Sequence, residues 1–504
     1  MGKFYNYLVA VASAMGGFLF GYEIGIIDQV LHMEGFGLIF GLKEKLQNTT
    51  IDTAQNPEVT GWITSTFLLG CVVGAAVSGV LTDSIGRRFS ILIGSLLFVI
   101  GGAMQTGASV IGVLYAGRVV SGGGVGLMSA AVPLYIAETA PTETRGRLIS
   151  IYQLMVTFGI LIASCVNAAI LSTLTGELEW RLAMGMQIIP AAILLLLIII
   201  LPFSPRWLVA KKRDAEALTV LARLRNAPEK SEVVQTEFRG IKQEQDEEDA
   251  AGSVSWLELL QKGVRMRVFL GSMLQLFQQW TGINVILYYA ATLFTNMGFS
   301  MTDSSVTFVV VNAAINFIAT FPGMWLVERI GRTKLMIGGG LLMGLSHCLI
   351  CLFIGLTPRL PSLSWGAVIF IYVFTIAFAA SWGPVVWVYQ SEIFPINCRA
   401  KGTSICTISN WAWNAIIAKI TPIFFRQISF YTYLIFGGMG FVMAAFVFFF
   451  VPETEGKSME EMDKVFGRVP QTKASLEKDI PLRGFENFAA MRELDNLPAE
   501  KYRE

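Results

Sequence analysis

Charge is what this sequence has least of. Only 15% of its 504 residues are Asp, Glu, Lys or Arg, against about 25% in soluble globular domains. A chain this long with so few charges cannot coat a water-facing surface, which argues against a soluble enzyme or a disordered chain. The 38 basic and 37 acidic residues nearly cancel, leaving no electrostatic footprint for nucleic acid. There are two histidines, His32 and His347; they read as a loop and a core residue rather than proton carriers. Six cysteines fall in apolar segments or at their edges. Cys348 and Cys351 sit on an uncharged stretch without histidine or acidic co-ligands, so packing is the better reading than metal or redox use. No nucleophile–base pair, phosphate loop or metal cluster stands out. Neither an enzyme nor a cofactor is expected.

Apolar residues make up 54% of the chain, and mean hydropathy is +0.58. Twelve spans of about 20 to 22 residues would use roughly half the chain. Charge-poor runs place them at 7–30, 59–81, 90–108, 110–135, 148–171, 182–202, 268–295, 305–327, 334–355, 364–391, 401–425 and 430–451, numbered here as spans 1 to 12. Span 1 contains Glu23 and ends without a small-residue cleavage site, so it reads as a retained helix rather than a secretory signal. The expected fold is an all-α membrane protein. Residues 1–203 would form one six-helix bundle, 204–267 a helical linker, 268–451 a second bundle, and 452–504 a tail.

Arg87, Arg88, Arg145, Arg147, Arg329, Arg332, Lys334, Arg399 and Lys401 fall on one side of this topology. The positive-inside bias puts that side, both termini and the linker in the cytosol. The sequon Asn48-Thr49-Thr50 then lies outside, where Asn48 can be glycosylated.

The sequence also repeats itself. Asp83-Ser84-Ile85-Gly86-Arg87 after span 2 returns 245 positions later as Glu328-Arg329-Ile330-Gly331-Arg332 after span 8. Glu138 and Arg145 are seven apart, as are Glu392 and Arg399. Two halves in one orientation imply a pseudo-twofold along the membrane normal, with a site between them at mid-depth.

Together with Pro202-Phe203-Ser204-Pro205-Arg206-Trp207-Leu208 and Gln278-Gln279-Trp280-Thr281-Gly282-Ile283-Asn284, these motifs resemble the sugar porters of the major facilitator superfamily. The resemblance covers about residues 5–460. Two departures are Phe203, where the family usually has an acid, and Glu455, where it usually has lysine.

Sugar hydroxyls donate and accept, so amide side chains suit them, and aromatic faces suit the C–H surface. Amides inside apolar spans are Gln153, Gln278, Gln279, Asn284, Asn316, Asn410 and Asn414, with Phe378 and Trp387 as aromatic candidates. The resemblance implies that all nine contact the sugar. Asn312, one turn from Asn316, is the competing choice on span 8.

Glu23 stands inside an apolar span, where a charge costs about 2.5–3.5 kcal/mol on insertion scales. The resemblance pairs it with Arg118 as a proton-coupling site; a static ion pair in a facilitator is the alternative. Asp28 reads as an entrance residue. Gly122, Gly123, Gly124 and Gly126 would permit close helix contact. Gly383 and Pro384 would hinge span 10, and Tyr288 and Tyr289 would gate the outer side. Asp83, Arg87, Glu138, Arg145, Arg206, Glu328, Arg332, Glu392, Arg399 and Glu453 would form a cytosolic ion-pair network.

The implied function is a monosaccharide transporter of the plasma membrane, for hexose and glucose in particular. It would work as a monomer in the lipid bilayer by alternating access, with a co-transported proton. An uncoupled uniporter and a transporter-like sugar sensor are the alternatives. Such sensors carry long cytosolic tails, whereas residues 452–504 form a short one.

Overall fold

The computed structural model describes residues 2–46, 49–52, 57–141, 144–251, 256–260, 263–288, 299, 307–394, 396–455 and 466. Twelve apolar spans are traceable among them. Spans 1 to 5 are the helices Gly2–His32, Pro57–Ser84, Arg87–Thr106, Ile111–Thr139 and Arg145–Thr173. Span 6 is Glu177–Met186 continued by Ile188–Ile198. Spans 8, 9, 11 and 12 are Val309–Leu326, Arg332–Leu356, Ile396–Ile428 and Thr432–Phe450.

Spans 7 and 10 are interrupted. Span 7 runs Val264–Trp280 and resumes as Ile283–Tyr288. Span 10 runs Ser364–Ala380 and resumes as Trp382–Glu392. The second break falls at Ser381, two residues before the expected Gly383-Pro384 hinge. Pro384 has no N–H for the carbonyl of Ala380, so the ladder must open there. A short antiparallel ribbon, Lys43–Leu46 with Thr49–Asp52, is added to the helices between spans 1 and 2.

The linker folds as three helices, Pro205–Ala210, Asp214–Arg225 and Glu232–Ala251. Ser204 caps the first by accepting from Trp207 N at 3.3 Å, with Pro205 at the first helical position. Trp207, Leu208, Leu221 and Val234 bury a small core of their own there.

The close contacts expected of span 4 are present at Gly122 and Gly126. A methyl group added at either would lie 2.1 Å from Phe67 O or 2.0 Å from Cys71 O, both on span 2. At Gly124 an added methyl would lie 2.4 Å from Gly94 O on span 3, whereas at Gly123 it would have room, 3.9 Å from Gly70 O.

The halves meet along two seams. Span 11 lies along span 2: Ser404 Oγ donates to Ala75 O at 2.7 Å, and Lys419 Nζ sits 5.2 Å from the Trp62 ring centre at the far end. Span 5 lies along span 8, where the hydroxyls of Thr157 and Thr320 are 3.3 Å apart.

Candidate functional site: a polar cavity and a buried ion pair

Between the halves lies a cavity whose walls come from both of them. All nine residues singled out as sugar contacts line it: Gln153, Gln278, Gln279, Asn284, Asn316, Phe378, Trp387, Asn410 and Asn414. The apolar remainder, which the sequence reading missed, is Phe20, Ile24, Val156, Ile160, Ile283 and Leu287. Val156 and Ile160 follow Gln153 at helical spacing, a signal that was available.

The interrupted helices explain the amide arrangement. Gln278 Nε2 donates to the carbonyls of Trp382 (2.9 Å) and Gly383 (3.2 Å) just past the break in span 10. Gln278 Oε1 accepts from Asn410 Nδ2 at 2.8 Å, and Asn410 Nδ2 also reaches Gln275 Oε1 at 2.5 Å. Gln275 Nε2 in turn donates to Gln390 Oε1 at 2.7 Å. Gln275 and Gln390 stand behind the cavity wall and hold its amides in orientation. Asn284 Nδ2 donates to Gln279 Oε1.

On span 8 the two asparagines separate cleanly. Asn312 Oδ1 accepts from Thr375 Oγ1 at 2.7 Å and ties spans 8 and 10 together. Asn316 lines the cavity, and its Oδ1 is buried with no hydrogen-bond partner among the described residues. Such an orphan acceptor is costly unless a ligand or water donates to it. Trp387 packs edge-on against Tyr152 of the other half, ring centres 5.6 Å apart.

Glu23 and Arg118 form the ion pair expected of them. Arg118 Nη1 donates to Glu23 Oε1 at 2.9 Å, with side-chain exposures of 1% and 0%. Arg118 Nη1 also approaches Gln105 Oε1 at 3.4 Å, and its guanidinium lies 5.3 Å from the Phe67 ring centre. Glu23 Oε2 has no hydrogen-bond partner among the described residues. An aromatic path joins this pair to the cavity. Phe67 meets Trp411 at 6.4 Å, Trp411 meets Phe20 at 4.8 Å, and Phe20 lines the cavity. Trp411 is also anchored across the halves, its Nε1 donating to Ser129 Oγ at 3.0 Å.

At the linker face the sequence repeat becomes a structural one. Arg87 bonds Glu138 at 2.9 Å and Thr82 O at 3.0 Å, while Ser204 Oγ donates to the other carboxylate oxygen of Glu138 at 2.5 Å. Arg332 bonds Glu392 at 2.8 Å and Val327 O at 3.1 Å, while Thr454 Oγ1 donates to the other oxygen of Glu392 at 2.8 Å. Asp83 adds a contact to Arg87 at 3.3 Å.

Glu453 accepts from Arg332 N, Thr333 N and Thr333 Oγ1 at 2.8, 2.9 and 2.6 Å. Burial pushes its pKa up, but the Thr333 hydroxyl and the surrounding backbone donors outweigh this and hold the carboxyl below its ordinary value of 4.5. Glu455 is shifted upward by burial and by the neighbouring Glu453.

Glu328 does not pair with Arg332 of its own half. It crosses to the first half, accepting from Arg147 N and Arg147 Nη2, both at 2.9 Å. Arg147 was absent from the expected network. Arg399 Nε bonds Phe394 O at 3.1 Å. Arg145 opens span 5 and Arg206 lies half-buried in the first linker helix. Tyr289 and Asn48 lie outside the described residues, as do the side chains of Tyr288 and Asp28.

Two six-span halves closing on a central amide-lined cavity define a multi-pass membrane protein built to enclose a small polar solute. Residues 9–466 match the family model described as sugar (and other) transporter. The chain is 33% identical over 477 residues to sugar transport protein MST7 of Oryza sativa, covering 92% of this chain and 91% of that one. It is 34% identical over 478 residues to the high glucose sensor RGT2 of Saccharomyces cerevisiae, covering 92% of this chain and 61% of the sensor. Its structure resembles that of the proton:xylose symporter XylE of E. coli bound to 6-bromo-6-deoxy-D-glucose. That match has a TM-score of 0.81 at 30% identity, over 92% of this chain and 100% of that one. The inward-open form of XylE scores 0.69 at 29% identity, over 92% and 100% of the two chains. The chain belongs to the sugar porter family of the major facilitator superfamily, whose members are transporters and not enzymes.

Proposed function

We propose that this protein is a monosaccharide–proton symporter of the plasma membrane, taking hexoses and glucose in particular, with both termini in the cytosol. It acts as a monomer. The observation that carries the substrate reading is the cavity itself. Donors and acceptors from four spans converge there, Asn316 Oδ1 awaits a donor, and Trp387 and Phe378 offer aromatic surface. A sugar ring matches this mixture, since its hydroxyls can donate to one amide while accepting from the next.

The coupling reading rests on Glu23. While ionised, its carboxylate is held by Arg118; a proton on the carboxyl removes the charge that Arg118 binds. Phe20 and Ile24 flank Glu23 on span 1 and form part of the cavity wall. The charge state of Glu23 therefore biases the wall that the sugar touches, and the path through Phe67 and Trp411 provides a second route. One proton moving through about 100 mV supplies roughly 2.3 kcal/mol, enough for about fifty-fold accumulation. Asp83, Arg87, Glu138, Arg145, Arg206, Glu328, Arg332, Glu392, Arg399 and Glu453 act as the cytosolic lock in this scheme. Tyr288, Tyr289, Gly383 and Pro384 serve the outer gate and the hinge, and Asn48 carries the glycan.

The test is uptake of labelled glucose into proteoliposomes with and without an inward proton gradient, with unlabelled hexoses, pentoses and polyols as competitors. Accumulation that collapses with a protonophore and is absent in Glu23→Gln is the expected outcome. Equilibration indifferent to the gradient would make the protein a uniporter. Saturable binding without flux would make it a sensor.

A further inference from the structure

Span 7 breaks beside the cavity, and the break exposes backbone that must be satisfied. Gly282 sits at φ +85°. In an unbroken helix the carbonyls of Gln278 and Thr281 would accept from Gly282 N and Val285 N. Here Gly282 N bonds Gln279 O at 3.3 Å and Val285 N bonds Gly282 O at 3.1 Å, so both carbonyls lose their helical partners. The Thr281 hydroxyl covers Gln278 O at 2.7 Å. His347, from span 9, covers Thr281 O through Nε2 at 2.8 Å.

The imidazole is built into this position. It is 1% exposed and packs against Phe374, Tyr433 and Phe436, with ring centres 4.5, 5.9 and 5.9 Å away. A carbonyl only accepts, so Nε2 carries the proton, and in the neutral ring Nδ1 carries none. Nδ1 has no hydrogen-bond partner among the described residues. A methyl group at position 282 would lie 2.9 Å from Nε2; glycine therefore serves the backbone angle and the approach of the ring at once.

We propose that His347 is a positioning residue for the cavity. Its Nε2–H caps the carbonyl freed by the break, and so fixes the angle between the segment bearing Gln278 and Gln279 and the segment bearing Asn284. A mid-membrane carbonyl has no water to fall back on. Without the cap, the two segments can re-pair and carry their amides out of register. The inference deepens the sugar-transport reading and rests on it for its ligand measurements.

Two substitutions separate the donor from the ring. His347→Phe keeps an aromatic among its neighbours and removes the N–H; His347→Gln returns an N–H at similar reach. In the purified full-length protein, His347→Phe should raise the Kd and KM for glucose about tenfold, the effect of one lost buried hydrogen bond, with kcat within about twofold. His347→Gln should recover most of the loss. An unchanged KM in His347→Phe overturns the proposal, and so does a His347→Gln protein as impaired as His347→Phe.

A measurement that needs neither sugar nor variant stability at position 347 is the 15N spectrum of histidine-labelled protein. The chain has two histidines, and His32→Gln assigns them. The Nε2–H tautomer at His347 supports the cap, and the Nδ1–H tautomer refutes it. An Nε2–H tautomer in a protein that binds no monosaccharide would sink the sugar reading while the cap stands.

Discussion

Spans 1 and 4 run unbroken through the first half, whereas their counterparts in the second half, spans 7 and 10, are each interrupted at the level of the cavity. The intact pair carries Glu23 and Arg118, a full charge on each side. The broken pair carries no ion pair among the described residues at that depth, only amides and exposed carbonyls knitted by Gln275, Gln278 and Asn410. An unbroken helix satisfies its own backbone, so polarity inside it must come from side chains that find each other. A broken helix offers its carbonyls as acceptors, and amides can fill them while keeping valence for a guest. One half thus buries a charge pair, and the other presents a hydrogen-bonded set of amides to the cavity.

The largest effect should come from breaking the charged half. Arg118→Ala leaves Glu23 buried without its cation and should cost about 3–5 kcal/mol in unfolding experiments. Combining it with Glu23→Gln should return most of that stability. A single variant as stable as the parent would mean that the pair is not closed to water.

Next is the amide half. Asn410→Ala strips a donor from both Gln275 and Gln278 and should weaken sugar binding by about 1–3 kcal/mol. Ser129→Ala, which removes the partner of Trp411 in the other half, should cost less than half as much by the same binding assay.

The linker face permits a matched pair. Glu453→Gln should lower stability by about 1 kcal/mol at neutral pH, through the donors at the start of span 9. The folded carboxyl lies below 4.5, so this stabilisation is complete above that value and is lost as pH falls through the folded pKa. Parent and variant melting curves should therefore converge at acid pH, and a constant gap would count against the assignment.

Phe203 occupies the equivalent place in the first half. It stacks on Trp207 at 5.3 Å with the Arg88 guanidinium 4.7 Å from its ring centre. Phe203→Glu exchanges a cation–π contact for a carboxylate at the start of span 3, terms of about 0.5–1 kcal/mol each. Its melting temperature should barely move, and a large drop would show that the aromatic stack organises the linker.

The spans and their pairing were legible because apolar length and positive-inside bias are properties of composition. The repeat carried further than its motifs. Tyr135 Oη donates to Pro202 O at 2.6 Å and Tyr389 Oη to Pro452 O at 3.2 Å, matching bonds at matching places. The cavity residues were legible as polar side chains in apolar helices. Their supports were less so, because Gln275 and Gln390 look like any other amide until the helices around them are placed. The spacing of Gln275 to Gln278 nevertheless puts them on neighbouring faces.

Arg145 and Arg147 are two apart, and only the phase of span 5 decides which reaches Glu328. The break in span 10 was placed within two residues because proline marks it chemically. The break in span 7 has only Gly282 for a marker, and a lone glycine in an apolar run does not announce a left-handed turn.

The bridge from Arg147 to Glu328 joins the halves at the linker face, and its side chains are 43% and 19% exposed. Pairs as open to water as this contribute roughly 0.2–1 kcal/mol, which tilts a two-state equilibrium by about fivefold at most. Such a clasp cannot hold a carrier shut against its cargo. In the symport proposed above it sets an idle position that a modest difference in solute affinity outweighs, and the direction of net travel is left to the gradients of proton and solute.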